Sequence, residues 1–155
     1  MQTFSEDLAG AGLSVAIAVA RFNSLVTERL LAGALEGLAE LGVEGERTAV
    51  AWVPGSFELP YAAQRLAQTR RYDAVICLGC VIKGETDHDL YINQSMARGI
   101  AEVSTETGVP AIFGVLTVNS LEQALARADE GTTNKGYEAA MAAVVMANLR
   151  RKLGE

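Results

Sequence analysis

The chain's one histidine, His88, directly follows a turn whose residues are suited to binding a small anion. Gly84, Glu85 and Thr86 lie in this turn, between an apolar run and the start of a helix. The free N–H groups and the dipole of a helix N-terminus favour an anion such as phosphate. An imidazole titrates near working pH and therefore transfers protons readily. The pattern predicts an anion site with a proton-transfer group beside it; a plain turn with a surface histidine is the alternative.

Segment 79–86, GCVIKGET, comes close to the phosphate-binding loop of nucleotide-binding proteins. Glu85 stands where that loop carries its phosphate-contacting lysine, and a carboxylate there would repel a triphosphate. We therefore expect no nucleotide. The acids near His88, Glu85, Asp87 and Asp89, suggest a metal site, but adjacent residues at a helix start point apart and one histidine supplies only one ligand. We expect no metal.

Two other segments that follow apolar runs carry residues that a binding site could use. Phe22, next to Asn23, could stack on a planar ring, although a hydrophobe that caps its strand would look the same. Ser56 and Glu58 could contact a ligand, but a helix N-cap and a favourable first-turn charge are the simpler interpretations.

Arg127 and Lys135 are harder to place from the sequence. The helix predicted over 120–128 carries the chain about 13 Å back from the edge of the sheet where His88 lies. Within one subunit, Arg127 should therefore lie far from His88. Either both cations are solvated surface charges, or they complete a site in a neighbouring subunit.

Cys77 and Cys80 form a CxxC pattern inside the apolar run 74–82. Side chains three positions apart in a strand point to opposite faces, and the chain has no second cysteine pair. The pattern favours a buried strand over a redox or zinc site.

Apolar runs alternate with helical periodicity along the whole chain. We predict strands over 13–20, 48–53, 74–82 and 110–116, each followed by a helix. The first helix should bury the stripe Leu31, Ala34, Leu35, Leu38 and Leu41, and Asn119 with Glu122 should form a capping box at a later helix. This alternation predicts an α/β domain with a parallel sheet, helices on both faces and a site at the carboxyl ends of the strands. The strand order stays open.

Composition limits the kind of protein. We expect the 155 residues to form one domain over 1–155. A net charge of −6 and a pI near 4.9 argue against a nucleic-acid or anionic-membrane partner. No signal-peptide pattern or membrane-length apolar run is present in the sequence, so we expect a cytoplasmic protein.

Several blocks of this sequence resemble the lumazine synthase family, and they cover nearly the whole chain. They are Arg21-Phe22-Asn23, 54–60 (PGSFELP), 79–88 (GCVIKGETDH), 113–117 (FGVLT), and Glu122-Gln-Ala, Arg127 and Asn134-Lys-Gly136 followed by Glu138-Ala-Ala. Residues 129–133 depart from the family's usual Gly-Thr-Lys-x-Gly, losing a lysine and gaining two acids.

The resemblance implies a flavodoxin-like three-layer α/β/α fold with a four-stranded parallel sheet. It also implies a homopentamer with active sites between adjacent subunits, of which twelve can close into a capsid, and riboflavin synthase as a candidate partner. The implied reaction condenses 5-amino-6-(D-ribitylamino)uracil with 3,4-dihydroxy-2-butanone 4-phosphate to 6,7-dimethyl-8-ribityllumazine, without a cofactor. A flavin- or lumazine-binding protein, or a shell-forming protein, of the same fold is the alternative.

The resemblance also implies residue roles. Phe22 would stack on the pyrimidine, His88 would move protons, and Arg127 would pair with the phosphate from the adjacent subunit. The other residues implied to hold the ribitylaminouracil are Asn23, Ser56, Phe57, Glu58, Cys80, Val81 and Ile82, with Phe113 and Lys135 from the adjacent subunit. Gly84, Glu85 and Thr86 would bind the phosphate of the other substrate.

Overall fold

The computed structural model describes residues 1–154, in which strands and helices alternate as predicted. The strands are β1 Val15–Ala20, β2 Thr48–Val53, β3 Ala74–Ile82 and β4 Ala111–Val118. The α-helices are α1 Ser24–Glu40, α2 Leu59–Gln68, α3 His88–Thr107, α4 Leu121–Arg127 and α5 Lys135–Lys152. Two 3-10 turns, Gly45–Arg47 and Ser56–Glu58, flank β2. Within residues 1–154, no helix is long and apolar enough to cross a lipid bilayer.

All four strands are parallel, in the order β2-β1-β3-β4. Helices α1, α4 and α5 cover one face of the sheet, and α2 and α3 cover the other. A hydrophobic core lies between the sheet and each of these helix layers. Because side chains alternate along a strand, Ile17 of β1 packs in the core under α1, α4 and α5, and Ala18 packs in the core under α2 and α3. This confirms the predicted flavodoxin-like, three-layer α/β/α fold, whose strand order reverses direction between β1 and β3.

The buried face of α1 differs from the predicted stripe. Leu35 is 40% exposed, and the buried residues of the helix are Val26, Thr27, Leu30, Gly33, Ala34, Gly37 and Leu38. A Cβ added at Gly37 would come within 2.9 Å of the Cβ of Ala140. The buried face of α1 therefore includes Gly33 and Gly37 and excludes Leu35, because α5 can approach α1 closely only where side chains are absent.

The predicted capping box at α4 is wrong by one residue. Ser120 is the N-cap, and its hydroxyl accepts a hydrogen bond from the backbone N–H of Gln123 at 3.2 Å. The side-chain oxygen of Gln123 in turn accepts from the N–H of Asn119 at 2.9 Å. The same reciprocal capping chemistry is present, but it uses Ser120 and Gln123 instead of Asn119 and Glu122.

Candidate active site

The strand order reverses between β1 and β3, and in sheets of this kind ligands bind in a crevice beyond the carboxyl ends of those two strands. Asn23 ends the segment that follows β1 and has φ 62°, in the left-handed region that asparagine tolerates better than most residues. Its side-chain amide donates to the carbonyl oxygen of Cys80 at 2.8 Å. This bond joins the chain that follows β1 to the end of β3. It therefore lies at the base of the position where ligands bind in such sheets.

Phe22 directly precedes Asn23 and is 72% exposed. Its backbone N–H donates to the carbonyl oxygen of Pro54 at 3.0 Å, so the chain after β1 is tied to the chain after β2. A ring that is held through its backbone and left open to solvent offers a flat stacking surface. The alternative that Phe22 caps its strand does not fit this exposure.

The 3-10 turn after β2 contains Ser56, Phe57 and Glu58. Phe57 lines a hollow of about 540 Å³ together with residues of α2 and α3, namely Pro60, Gln94, Ser95, Arg98, Gly99 and Glu102. Ser56 is 8% exposed, and its hydroxyl oxygen would lie 2.5 Å from a Cβ added at Gly79 of β3. Gly79 thus allows the turn to lie directly on the central strand. Phe57 is 59% exposed, and Glu58 is also exposed, so both can contact a ligand.

Strand β3 extends beyond the part of it that pairs with β1. Its pairing with β1 stops at Leu78, whereas its pairing with β4 continues to Ile82. The carbonyl of Cys80 points to the β1 side, toward Asn23, and the N–H of Lys83 points to β4, where it donates to Val118. Because backbone groups alternate along a strand, those of Ile82 also face the open β1 side, and those of Val81 face β4.

The two cysteines lie on opposite faces of β3, as predicted, with Cys77 in the core under α2 and α3 and Cys80 in the other core. Burial raises the pKa of the Cys77 thiol to about 12 and that of Cys80 to about 11. Both thiols are therefore protonated at neutral pH, and both are unpaired. The structure supports the interpretation of a buried strand and not of a reactive pair.

The turn after β3 leads directly into α3. Gly84, Glu85 and Thr86 are exposed, and the hydroxyl of Thr86 accepts a long bond, 3.4 Å, from the N–H of His88. His88 is the first residue of α3 and is exposed. In this first turn the N–H of Leu90 also bonds, to the carbonyl of Asp87 at 3.1 Å. The dipole of a helix start nevertheless favours an anion. Among the described residues, no three His, Cys, Asp or Glu side chains converge as a metal site would require.

Three of the predicted site residues lie elsewhere, at the outer edge of strand β4. Arg127 and Lys135 line a hollow of about 340 Å³ together with Thr117, Thr133, Glu138 and the neighbouring residues of β4. Arg127 donates to the carbonyl of Gln123 in its own helix, and Lys135 pairs with Glu138 at 3.2 Å. Phe113, also on β4, is 43% exposed.

The predicted residues thus form two groups. The rim group lies at or just beyond the carboxyl ends of β1, β2 and β3 and contains Phe22, Asn23, Ser56, Phe57, Glu58, Cys80, Val81, Ile82, Gly84, Glu85, Thr86 and His88. The edge group contains Phe113, Arg127 and Lys135. None of the described residues that line the hollow at Arg127 belongs to the rim group.

Sequence reasoning assigned no role to Thr133, Glu138 or Asn134. Asn134 caps α5 with its side chain, and it could have been found from its residue type immediately before a predicted helix. Thr133 and Glu138 carry no comparable signal, because their place beside Arg127 depends on how α4 and α5 pack against the edge strand.

The fold defines a parallel α/β protein, a class in which ligands bind where the strand order reverses. The chain belongs to the 6,7-dimethyl-8-ribityllumazine synthase family, whose model matches residues 12–151. The resemblance found in the sequence is thereby confirmed. Membership implies a transferase of riboflavin biosynthesis that acts on small molecules and associates into oligomers.

Proposed function

We propose that the protein condenses 5-amino-6-(D-ribitylamino)uracil with 3,4-dihydroxy-2-butanone 4-phosphate to 6,7-dimethyl-8-ribityllumazine. The observation that carries this proposal is the convergence of the rim group at the carboxyl ends of β1 and β3, where the strand order reverses. There an exposed aromatic ring, Phe22, stands beside the open backbone edge of Ile82, and the turn before His88 begins at the same strand end. A flat heterocycle with polar edges matches this combination of a stacking face and unpaired backbone groups.

The uracil is proposed to stack on Phe22 and to bond through its edge to the end of β3. Cys80 and Val81 shape that strand end, while the backbone of Ile82 faces the ligand. The ribityl chain then runs along the turn of Ser56, Phe57 and Glu58, whose polar groups suit a polyhydroxyl chain. Asn23 holds the strand ends together at the base of the site.

The butanone phosphate is proposed to place its anion at the start of α3. Gly84, Glu85 and Thr86 surround it with backbone N–H groups and one hydroxyl, and the dipole of a 20-residue helix favours the charge. This arrangement places the carbon skeleton of the substrate near His88.

The edge group is proposed to reach this site from a neighbouring subunit. Phe113 and Arg127 lie on the outer side of β4, which pairs only with β3 among the described residues. In a ring of subunits, each edge group faces the rim group of the next subunit. Arg127 then pairs with the phosphate, and Phe113 and Lys135 cover the uracil. A homopentamer is the proposed ring, and a capsid of twelve pentamers and association with riboflavin synthase remain expectations of the resemblance.

The proposed chemistry uses only proton transfer, elimination and loss of water. The uracil amine adds to the ketone and one water leaves to give an imine. The imine loses phosphate, and the resulting enol isomerises and closes the second ring with loss of a second water. Because no electrons leave the substrates, the reaction requires no redox cofactor. Holding two substrates in register supplies much of the acceleration, and His88 donates and accepts the protons.

The test is product formation from the two purified substrates. Lumazine absorbance and released phosphate should rise together, one for one, at a rate well above that of a protein-free mixture. Omitting either substrate is the control, and it should abolish both signals. Binding of a ribitylated heterocycle without any turnover would overturn the proposal in favour of a non-catalytic binding protein.

The side chain of Cys80 is expected to be dispensable for this activity. Its thiol is buried and protonated, and only its carbonyl meets the crevice, so Cys80→Ala should keep kcat and both KM values near those of the wild type. A large loss of kcat in Cys80→Ala would show instead that the thiol takes part.

Asn23→Gly keeps the left-handed backbone but deletes the hydrogen bond to the Cys80 carbonyl. This variant should raise the KM for the uracil by about two- to tenfold.

A further inference from the structure

Asn134, between α4 and α5, is 3% exposed, and its side-chain amide is fully hydrogen-bonded. The nitrogen donates to the carbonyl of Ala128 at 2.9 Å and to that of Arg29 at 3.2 Å. The oxygen accepts from the N–H groups of Gly136 at 2.7 Å and Tyr137 at 3.1 Å. One side chain therefore binds the end of α4, the start of α5 and the middle of α1.

Two glycines make room for this amide. A Cβ added at Gly33 of α1 would overlap the side chain of Asn134. A Cβ added at Gly136 would overlap the backbone of Leu30. The closest approach of α1 to the α4–α5 junction is therefore built around Asn134, and a larger side chain at Gly33 would displace the amide.

We propose that Asn134 is a positioning residue that fixes Arg127 and Lys135 relative to each other. Arg127 directly precedes Ala128, whose carbonyl the amide nitrogen holds, and Lys135 directly follows Asn134. The nitrogen and the oxygen of one rigid amide thus fix the positions of the two backbone segments that carry Arg127 and Lys135. This inference rests on the proposed function, in which both cations bind substrates.

The connection between α4 and α5 cannot fix the cations by itself. Residues 129–133 are all exposed, and they include the acids that depart from the family's usual pattern. Gly131 has φ 105°, and its carbonyl accepts from the N–H of Asn134 at 3.1 Å. The loop therefore also closes on Asn134, so the position of Arg127 depends on that residue.

The Asn134→Ser variant distinguishes a positioning role of Asn134 from a contribution to stability alone. The serine hydroxyl can still cap α5, but the bonds to the carbonyls of Ala128 and Arg29 are lost. Asn134→Ser should raise the KM for the butanone phosphate, and the inhibition constant of inorganic phosphate, by about tenfold. The KM for the uracil should stay near the wild-type value, since the cap beside Lys135 remains.

Asn148→Ser is the matched control. Asn148 also lies on α5, is 8% exposed, and donates its amide nitrogen to two carbonyls, those of Asp7 and Ala9. Its replacement removes the same two bonds at the other end of the helix. It should lower Tm as Asn134→Ser does, but leave both KM values unchanged. Equal KM values in the two serine variants would overturn the inference.

Gly33→Ala tests the same point without touching Asn134 itself. Its new methyl group should displace the amide, whose oxygen caps α5, and raise the KM for the butanone phosphate as Asn134→Ser does. Gly37→Ala, one turn along α1, crowds Ala140 instead and should lower Tm only. If Asn134→Ser and Gly33→Ala both fail to fold while their controls fold, Asn134 is structural and the inference is wrong.

Calorimetric titration with inorganic phosphate separates this inference from the proposed function. A wild-type protein that makes no lumazine contradicts the function, whatever Asn134 does. Weaker phosphate binding by Asn134→Ser, with unchanged binding by Asn148→Ser, would still support the positioning of Arg127. Unchanged phosphate binding by both variants would contradict it.

Discussion

Replacing Arg127 with alanine is expected to raise the KM for the butanone phosphate roughly ten- to a hundredfold and to leave the KM for the uracil nearly unchanged. Hydrogen bonds to a charged group contribute about 1.5–3 kcal/mol, and each 1.4 kcal/mol is a factor of ten. The guanidinium also matches the geometry of a phosphate, which an ammonium does not, so Arg127→Lys should fall between the wild type and Arg127→Ala. Initial rates measured with each substrate varied separately provide the test.

Arg65→Ala is the control for this prediction. Arg65 is also an exposed arginine whose guanidinium bonds within its own helix, to Gln68, just as Arg127 bonds to Gln123. Its loss should change neither KM. Inorganic phosphate should compete with the butanone phosphate in the wild type and only weakly in Arg127→Ala. An equal rise in both KM values would mean that Arg127 supports folding or assembly and does not bind phosphate.

The His88→Ala variant is expected to lose roughly ten- to a hundredfold in kcat, at the modest end of general acid–base effects. The loss is partial because stacking, phosphate binding and alignment of the substrates do not depend on the imidazole. His88 is exposed at the first position of α3, and its side chain makes no structural hydrogen bond among the described residues. Its removal should therefore leave Tm unchanged.

Binding measurements distinguish proton transfer from substrate binding at His88. The Kd of a ribitylated purine analogue should be the same for His88→Ala and the wild type. Asp89→Asn, one residue further along the helix, is the matched control and should keep the wild-type kcat. A wild-type kcat in His88→Ala would rule out the proton-transfer role, and a weakened analogue Kd would assign His88 to binding.

The sequence predicted the layers of the fold because its strands are nearly continuous apolar runs. Segment 74–82 was predicted as a strand buried on both faces, and β3 occupies those residues and lies in the middle of the sheet. The strand order could not be predicted, because it depends on which strands pair and not on any local pattern. The face of α1 was missed at Leu35 for a related reason. Periodicity counts large apolar residues, whereas Gly33 and Gly37 determine where α5 can approach.

The rim group could be predicted from the sequence better than the edge group. Parallel strands end at one edge of a sheet, so Phe22, Ser56 and the turn before His88 had to lie near one another once the strands were known. The bond from Asn23 to Cys80 joins residues 57 positions apart and leaves no local signal. The hollow at Arg127 likewise depends on the packing of α4 and α5. Only the resemblance implies that its residues belong to a site shared between subunits.

In the proposed ring, His88 of one subunit and Arg127 of the next complete a single lumazine-forming site. His88→Ala and Arg127→Ala subunits should each be weak when refolded alone. Unfolded together and reassembled in equal amounts, they should regenerate about a quarter of the interfaces with both residues intact, if rings mix at random. Mass spectrometry of differently tagged chains shows whether the rings contain both variants.

The decisive measurement is the rate of lumazine formation by the mixed rings, compared with the two variants refolded separately. Mixing His88→Ala with His88→Gln is the matched control and should recover nothing, because no interface then contains a histidine. The mixed rings of His88→Ala and Arg127→Ala should regain about a quarter of the wild-type rate. Mixed rings that form with no gain over the separate variants would contradict the shared site.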